Sequence, residues 1–170
     1  KIAYNTHDGT LLNMEKSWIT LENPTFTLCK NDGSQYDTTH MHIGDVEPED
    51  RATYYWWMDT SSVPVVLKRY SEITAQWVAV ATTYVKIESP GIGANFNEDD
   101  AVTISGCDNA DFNTSMIIQS KDTDWICVIG IINQVFTNSG AITIKREVPD
   151  MDFVCELNNR LWGCSSEKHE

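Results

Sequence analysis

Two histidines one residue apart, His40 and His42, are the first place to look for chemistry in this chain. On a strand, alternate residues project to one face, so both imidazoles would point the same way, with Asp37, Asp45 and Glu47 close by as oxygen ligands for a zinc-like ion. Such a centre needs three or four protein ligands, and the remaining histidines, His7 and His169, lie near the two ends. The pair reads as part of a polar loop, and no metal ligand is assigned. Asp108-Asn109-Ala110-Asp111-Phe112-Asn113, preceded by Glu98-Asp99-Asp100, clusters oxygens of the kind calcium takes. It lacks the alternating spacing, the glycine and the closing glutamate of an EF-hand loop, and reads as a solvated acidic loop.

Nucleotide and acyl-transfer chemistry fare no better. Gly91-Ile92-Gly93 has no third glycine or following lysine and does not open a helix, so it reads as a turn and not as a phosphate cradle. Ser105-Gly106-Cys107 sits outside any G-x-S-x-G frame, and no histidine and carboxylate can be paired with it by spacing. Carboxylate pairs for glycoside hydrolysis are defined by distance in space, and 25 acidic residues offer no way to choose two. No catalytic residue and no cofactor site is assigned, and the chain is expected to be non-enzymatic. The side chains suited to contact a partner are aromatic: Tyr54, Tyr55, Trp56 and Trp57, and Trp162 near the end. Planar rings can stack on the apolar faces of sugars, which makes a carbohydrate- or receptor-binding β-sandwich the competing expectation, although strand alternation should turn one of each neighbouring pair inward.

The elements that must position these residues are strands. Ala101-Val102-Thr103-Ile104-Ser105 and Ala141-Ile142-Thr143-Ile144-Lys145 alternate β-branched with small or polar residues, the period of a half-buried strand. Ser115–Gln119 and Trp125–Ile132 flank the polar run Ser120–Asp124 as a hairpin. Asn138-Ser139-Gly140 supplies a turn with a positive-φ glycine, so that 101–148 should form an antiparallel meander. Upstream, Thr25–Cys29, Tyr54–Met58, Val65–Tyr70 and Trp77–Ile87 read as further strands. No apolar pattern holds a 3.6 period over three turns, and Glu47–Arg51 and Asp108–Asn113 are the only short helical candidates. The expected fold is all-β, mainly antiparallel sandwich or barrel-like modules. Breaks at Ser89–Gly93 and Val148–Asp150 divide the chain into 1–89, 90–149 and 150–170.

Net charge and cysteines narrow the partners. A formal charge of −13 opposes binding to phosphate backbones, which depends on clustered Lys and Arg, so no specific nucleic-acid partner is expected. No apolar run approaches the roughly 20 residues of a membrane span. The five cysteines form no C-x-x-C pair and read as reduced core thiols made in a cytoplasm, with Cys155 and Cys164 as an optional pair across a hairpin. The absence of an initiator methionine, and a final hairpin with no further strand to cover its apolar face, are expected of a module cut from a longer protein.

Two stretches carry a resemblance. Trp57-Met58-Asp59-Thr60-Ser61-Ser62-Val63-Pro64-Val65-Val66-Leu67-Lys68-Arg69-Tyr70, with Trp77-Val78-Ala79-Val80, resembles a segment of bacteriophage and prophage tail proteins in which a Trp-x-Asp-Thr strand precedes a Leu-Lys-x-Tyr…Trp-Val hairpin. The C-terminal Val148–Ser165, with Asn159-Arg160-Leu161-Trp162, is similar to strands of a larger β-propeller-like region in tail hub, nozzle and DNA-stabilisation proteins. The resemblance implies a virion structural component, assembled in a bacterial host cytoplasm as a homo-oligomeric ring with other tail or virion proteins through β-sheet contacts. An acidic wall facing a DNA channel would let the polymer slide. No catalytic residues carry over.

Overall fold

The computed structural model describes the backbone at residues 3–5, 11–13, 18–147, 153–157 and 160–164. Within it the chain is built from strands, and no helix reaches seven residues. β1 (Ala3–Asn5) and β2 (Leu11–Asn13) form a short antiparallel pair. β3 (Trp18–Glu22) and β4 (Thr25–Cys29) follow, then the four strands of a smaller sheet, β5 (Met41–Gly44), β6 (Trp56–Asp59), β7 (Val66–Ser71) and β8 (Gln76–Ala79). Next come β9 (Tyr84–Glu88), β10 (Ala101–Ser105), β11 (Ser115–Asp122), β12 (Trp125–Ile129), β13 (Phe136–Thr137) and β14 (Ala141–Arg146). β15 (Phe153–Leu157) and β16 (Arg160–Cys164) close the described chain as a hairpin.

The main sheet has the order β13-β4-β9-β12-β11-β10-β14-β3, antiparallel throughout. Its two ends are joined by the chain itself: β3 runs into β4 through Asn23-Pro24, and β13 runs into β14 through Asn138–Gly140. One two-stranded ribbon therefore belongs to both ends of the order, and the sheet wraps into a barrel-like layer. The period-two alternation now has a destination. Ile19 and Leu21, Phe26 and Leu28, Val85 and Ile87, Val102 and Ile104, Met116 and Ile118, Ile126 and Val128, Phe136, and Ile142 and Ile144 all pack into a single interior. Phe112, from a short 3-10 turn at Ala110–Phe112, plugs that interior, its ring centroid 5.3 Å from Phe26. Phe26 in turn stacks on Phe136 at 4.7 Å.

β4 and β9 pair directly, Thr25 opposite Glu88 through to Cys29 opposite Tyr84. Residues 30–83 thus leave and re-enter the barrel within a single hairpin, and what they build is the second sheet, β5-β6-β7-β8, with β5 and β6 parallel. Its inner face buries Met58 and Leu67 against Tyr36, with Leu28 and Ile131 of the barrel as shared neighbours.

Several expectations change here. The joint at Ser89–Gly93 lies in the middle of one sheet, since β3, β4 and β9 pair with strands from beyond it. The segment is sewn to the β11–β12 hairpin: Asp124 Oδ1 accepts from the Gly91 amide at 2.7 Å, and the Gly93 amide donates to Thr123 O at 3.0 Å. Gly93 is required there, because a Cβ would stand 1.6 Å from the Asp122 carbonyl oxygen. Trp77–Ile87 is two strands in two different sheets, not one. The 101–148 meander holds for β10, β11 and β12, but β13 and β14 part at 138–140 to opposite ends of the sheet order. Gly140 is not among the positive-φ glycines, which are Gly33, Gly91 and Gly106 in the described residues. Glu47–Arg51 forms no helix, whereas Asp108–Asn113 contains one short 3-10 turn. In the last hairpin Cys155 is a free, exposed thiol opposite Trp162, and Cys164 stands opposite Phe153. The turn at 158–159 and the side chain of Trp162 lie outside the described residues.

The corner between β13 and β14 turns on Asn138, which is 1% exposed. Its Oδ1 accepts from the Asp108 amide at 2.7 Å, and its Nδ2 donates to the carbonyls of Gly106 at 3.1 Å and Gly140 at 3.0 Å. Its own backbone accepts from Asn23 Nδ2 at 3.1 Å and donates to Pro24 O at 2.9 Å, which ties the two corners of the ribbon together. Asn138→Ala deletes three buried hydrogen bonds and strands their backbone partners, at a cost of about 2–4 kcal/mol. In urea the midpoint should fall while the slope stays constant; an unchanged midpoint would show that the corner does not depend on this side chain.

Candidate functional site

The aromatic run Tyr54–Trp57 enters β6, and the sheet sends its members in different directions. On the outer face, Trp57 is 7% exposed and its indole Nε1 donates to Gly44 O at 2.9 Å. Lys68, its cross-strand partner, lies over the Trp57 ring at 4.3 Å and reaches the Asp59 carboxylate at 2.7 Å. Trp77 meets Trp57 edge-on at 5.8 Å and Tyr70 at 5.4 Å. Arg51 then covers the Tyr70 ring at 4.7 Å, donates to its hydroxyl at 2.9 Å and pairs with Glu47 at 3.0 Å. The result is one continuous ladder in which three rings are capped at each end by an ion pair, each cation–ring contact contributing about 0.5–2 kcal/mol. Trp56 turns to the opposite face and packs edge-on against Tyr36 at 4.8 Å.

Tyr54 and Tyr55 sit before the strand and clamp the two histidines separately. His40 closes a 3-10 turn at Thr38–His40, stacks on Tyr55 at 4.9 Å and hydrogen-bonds through Nδ1 to Asp37 Oδ2 at 2.7 Å. His42 is on β5 and packs against Tyr54 at 5.5 Å. The pair was expected in a polar loop; His42 instead belongs to a strand, and His40 ends the 3-10 turn that precedes it. Asp37 also accepts from the Thr39 hydroxyl at 2.5 Å and from the Tyr55 hydroxyl and the Thr39 amide, both at 3.0 Å; the Thr39 hydroxyl first, then His40 and Tyr55, hold its carboxyl well below the usual carboxylate range. Among the described residues no group of three potential ligands is placed to hold a metal ion.

The other sequence candidates are absorbed by structure in the same way. The Asp108 carboxylate binds the Ser139 amide and hydroxyl at 2.6 and 3.0 Å. Asn109 caps the Asp111 amide, and Asn113 exchanges two hydrogen bonds with the Cys107 backbone. Asp100 pairs with Arg146 at 2.8 Å and accepts from the Asn97 amide. Their oxygens converge on backbone donors, not on a common point. Cys107 is buried, which pushes its thiol up. Cys29 and Cys127 meet at 3.3 Å between sulfurs, both fully buried, and the hydrogen bond to Cys127 together with burial pushes the Cys29 thiol far above its ordinary range. They lie on β4 and β12, with β9 between them, and both are free thiols. Gly33, at φ +76°, folds the loop after β4 onto the Trp125 ring, and Ser120 donates to Asn31 O in the same loop.

What remains open is a cleft of about 1030 Å³ on the small sheet, where Arg51, Tyr55, Arg69, Tyr70, Glu72 and Val78 face solvent. Of the four-ring run only Tyr55, 38% exposed, lines it. Arg51 was not singled out by the residue pattern, and Arg69 and Tyr70 entered it only as members of a strand. The usable signal was scarcity: two of the chain's four arginines fall within this one stretch of an acidic protein. Compared with protein-family models, curated proteins and solved structures, the chain returns no match. No helix of the described residues is long and apolar enough to cross a membrane.

Two outcomes follow. Bonds from Lys68 and Ser61 hold the buried Asp59 carboxyl down at about 2, against an ordinary value of 3.8. A carboxyl whose folded value is depressed stabilises the fold above the unfolded value and loses that contribution as pH falls through the folded one, here about 2 kcal/mol lost between pH 4 and 2. Lys68→Met should lower the melting temperature at pH 6 and flatten its decline from pH 4 to 2.5; parallel pH curves for the two proteins would contradict this. In thiol titration of the native chain Cys155 should react at once, and Cys29, Cys107 and Cys127 only after denaturant is added.

Proposed function

We propose that this chain is a non-enzymatic structural component of a phage or prophage tail, acting through protein–protein assembly contacts. The observation that carries the reading is where apolar side chains are left in water. Val63, in the β6–β7 loop, is 99% exposed and Ile73, in the β7–β8 turn, is 98% exposed, so each loop tip presents a large aliphatic group with nothing around it. A third such feature is on the barrel, where Ile117 of β11 and Ile129 of β12 are 51% and 53% exposed. The registers of β10, β11 and β12 set these two in one outward row with Ala101. The Ile117–Ile129 row, with the two bare loop tips, suits contact with other proteins more than free solution.

The segment resembling tail proteins supports the reading from another side. Its Trp57, Asp59, Lys68, Tyr70 and Trp77 are spent on the ring-and-charge ladder that stiffens the sheet. A flat four-ring sugar platform does not form, since Trp57 and Trp56 point to opposite faces, and a carbohydrate-binding role would have to work through Tyr55 and Tyr70.

Gold-labelled antibodies raised against the purified chain should decorate the tails of particles induced from the source cells. Particles in which mass spectrometry finds none of this chain would overturn the assignment. In sedimentation, the wild type should gain mass with concentration, and Val63→Asp with Ile73→Asp should weaken that association at least tenfold.

A further inference from the structure

The outer strand of the small sheet has an unguarded edge beside the arginine cleft. The Val80 amide donates to Leu67 O at 2.8 Å, which makes residues 67 and 80 a hydrogen-bonded pair. Antiparallel alternation then bonds Arg69 with Val78 and Ser71 with Gln76, and turns the N–H and C=O groups of Trp77 and Ala79 away from β7. No described strand pairs with β8 on that side. Natural edges are blunted by proline, charge or a bulge. β8 reads Gln76-Trp77-Val78-Ala79, with none of these residues proline or charged, and its register with β7 is continuous.

Behind the edge the side chains are equally specific. Val78 is half exposed, and its cross-strand partner Arg69 leans on the Trp56 ring at 5.6 Å. Among the described residues neither Arg69 nor Glu72, at the rim, has an ion-pair partner, while Arg51, across the cleft, is paired with Glu47. One guanidinium is thus left uncompensated in a protein with twice as many acidic as basic residues.

We infer that β8 and this cleft form a docking site for an extended acidic peptide segment, which adds to the sheet as a further antiparallel or parallel strand. The main chain of the incoming segment bonds the outward groups of Trp77 and Ala79. A glutamate opposite Val78 lies about 10 Å from the Arg69 backbone, a gap that the two extended side chains close. This deepens the assembly reading by naming one contact and its chemistry, and an extended strand is favoured over a sugar because the free edge offers main-chain donors and acceptors in strand spacing.

The test is an amide NMR titration of the whole chain with the blocked peptide Thr-Val-Thr-Glu-Thr-Val-Thr. Shifts should centre on Trp77, Val78 and Ala79. Of two analogues N-methylated at alternate residues, one should lose binding at least tenfold. Arg69→Gln, an exposed change that loses the contact with the Trp56 ring and should lower the melting temperature only slightly, should weaken the glutamate peptide at least tenfold and leave its glutamine counterpart unaffected. The inference is overturned by no binding at millimolar peptide, by equal binding of both methylated analogues, by an unchanged affinity in Arg69→Gln, or by polygalacturonate binding at the cleft where the peptide does not. Labelled tails with a silent titration would remove this contact and leave the assembly reading standing.

Discussion

The pairing of β4 with β9 is the contact on which the rest of the molecule depends. Five consecutive residue pairs bring Thr25–Cys29 against Tyr84–Glu88, and both strands then sit between β13 and β12 in the barrel wall. Closing so long an excursion between two neighbouring strands costs only slightly more than closing a moderate one, because loop-closure entropy grows with the logarithm of length. The excursion can therefore be a folded unit in its own right. Residues 30–83 use that freedom to build a sheet with its own interior, joined to the barrel at Leu28 and Ile131.

Polar side chains in this protein are mostly committed to holding backbone. Asn138 ties two corners together, Asp108 and Asn113 stitch neighbouring loops, and Asp59 sits in a buried contact with Lys68 where it also receives the Ser61 amide. A buried ion pair stabilises only if its lone pairs and protons are otherwise satisfied, and here the Ser61 hydrogen bonds and the Trp57 ring complete the shell. The same holds for Asp37, Asp100 and Asp108, whose carboxylates each take donors from their own neighbourhood instead of converging on a common point. The side chains left over are those of the small sheet's outer rim, and that is where the surface departs from a merely solvated one.

Much of the local structure was legible in the residues. Alternation at Ala101–Ser105 and Ala141–Lys145 gave the correct strands and the correct inward faces, because burial on one side of a pleated strand leaves a period of two. The hairpin around Ser120–Asp124 and the strands of the Trp57–Ala79 segment were legible because each forms between neighbours in sequence, although β11 runs on through Asp122 and shortens the loop to Thr123-Asp124. The histidine pair, expected in a polar loop, is instead split between a 3-10 turn at Thr38–His40, set by the Asp37 cap, and β5, where His42 stands.

By itself, then, the amino-acid sequence determined an all-β chain, where most of its strands lie and, at Ala101–Ser105 and Ala141–Lys145, that one face of the strand is buried. Only the tertiary structure decided that Ser89–Gly93 is internal to one sheet, that Trp77–Ile87 crosses from one sheet to another, and that Arg51, Arg69 and Tyr70 share a cleft beside a free edge. The division has a physical basis. Alternation and turn chemistry act over a few residues, whereas strand order is set by long-range pairing and side-chain packing, whose energies leave no periodic trace along the chain.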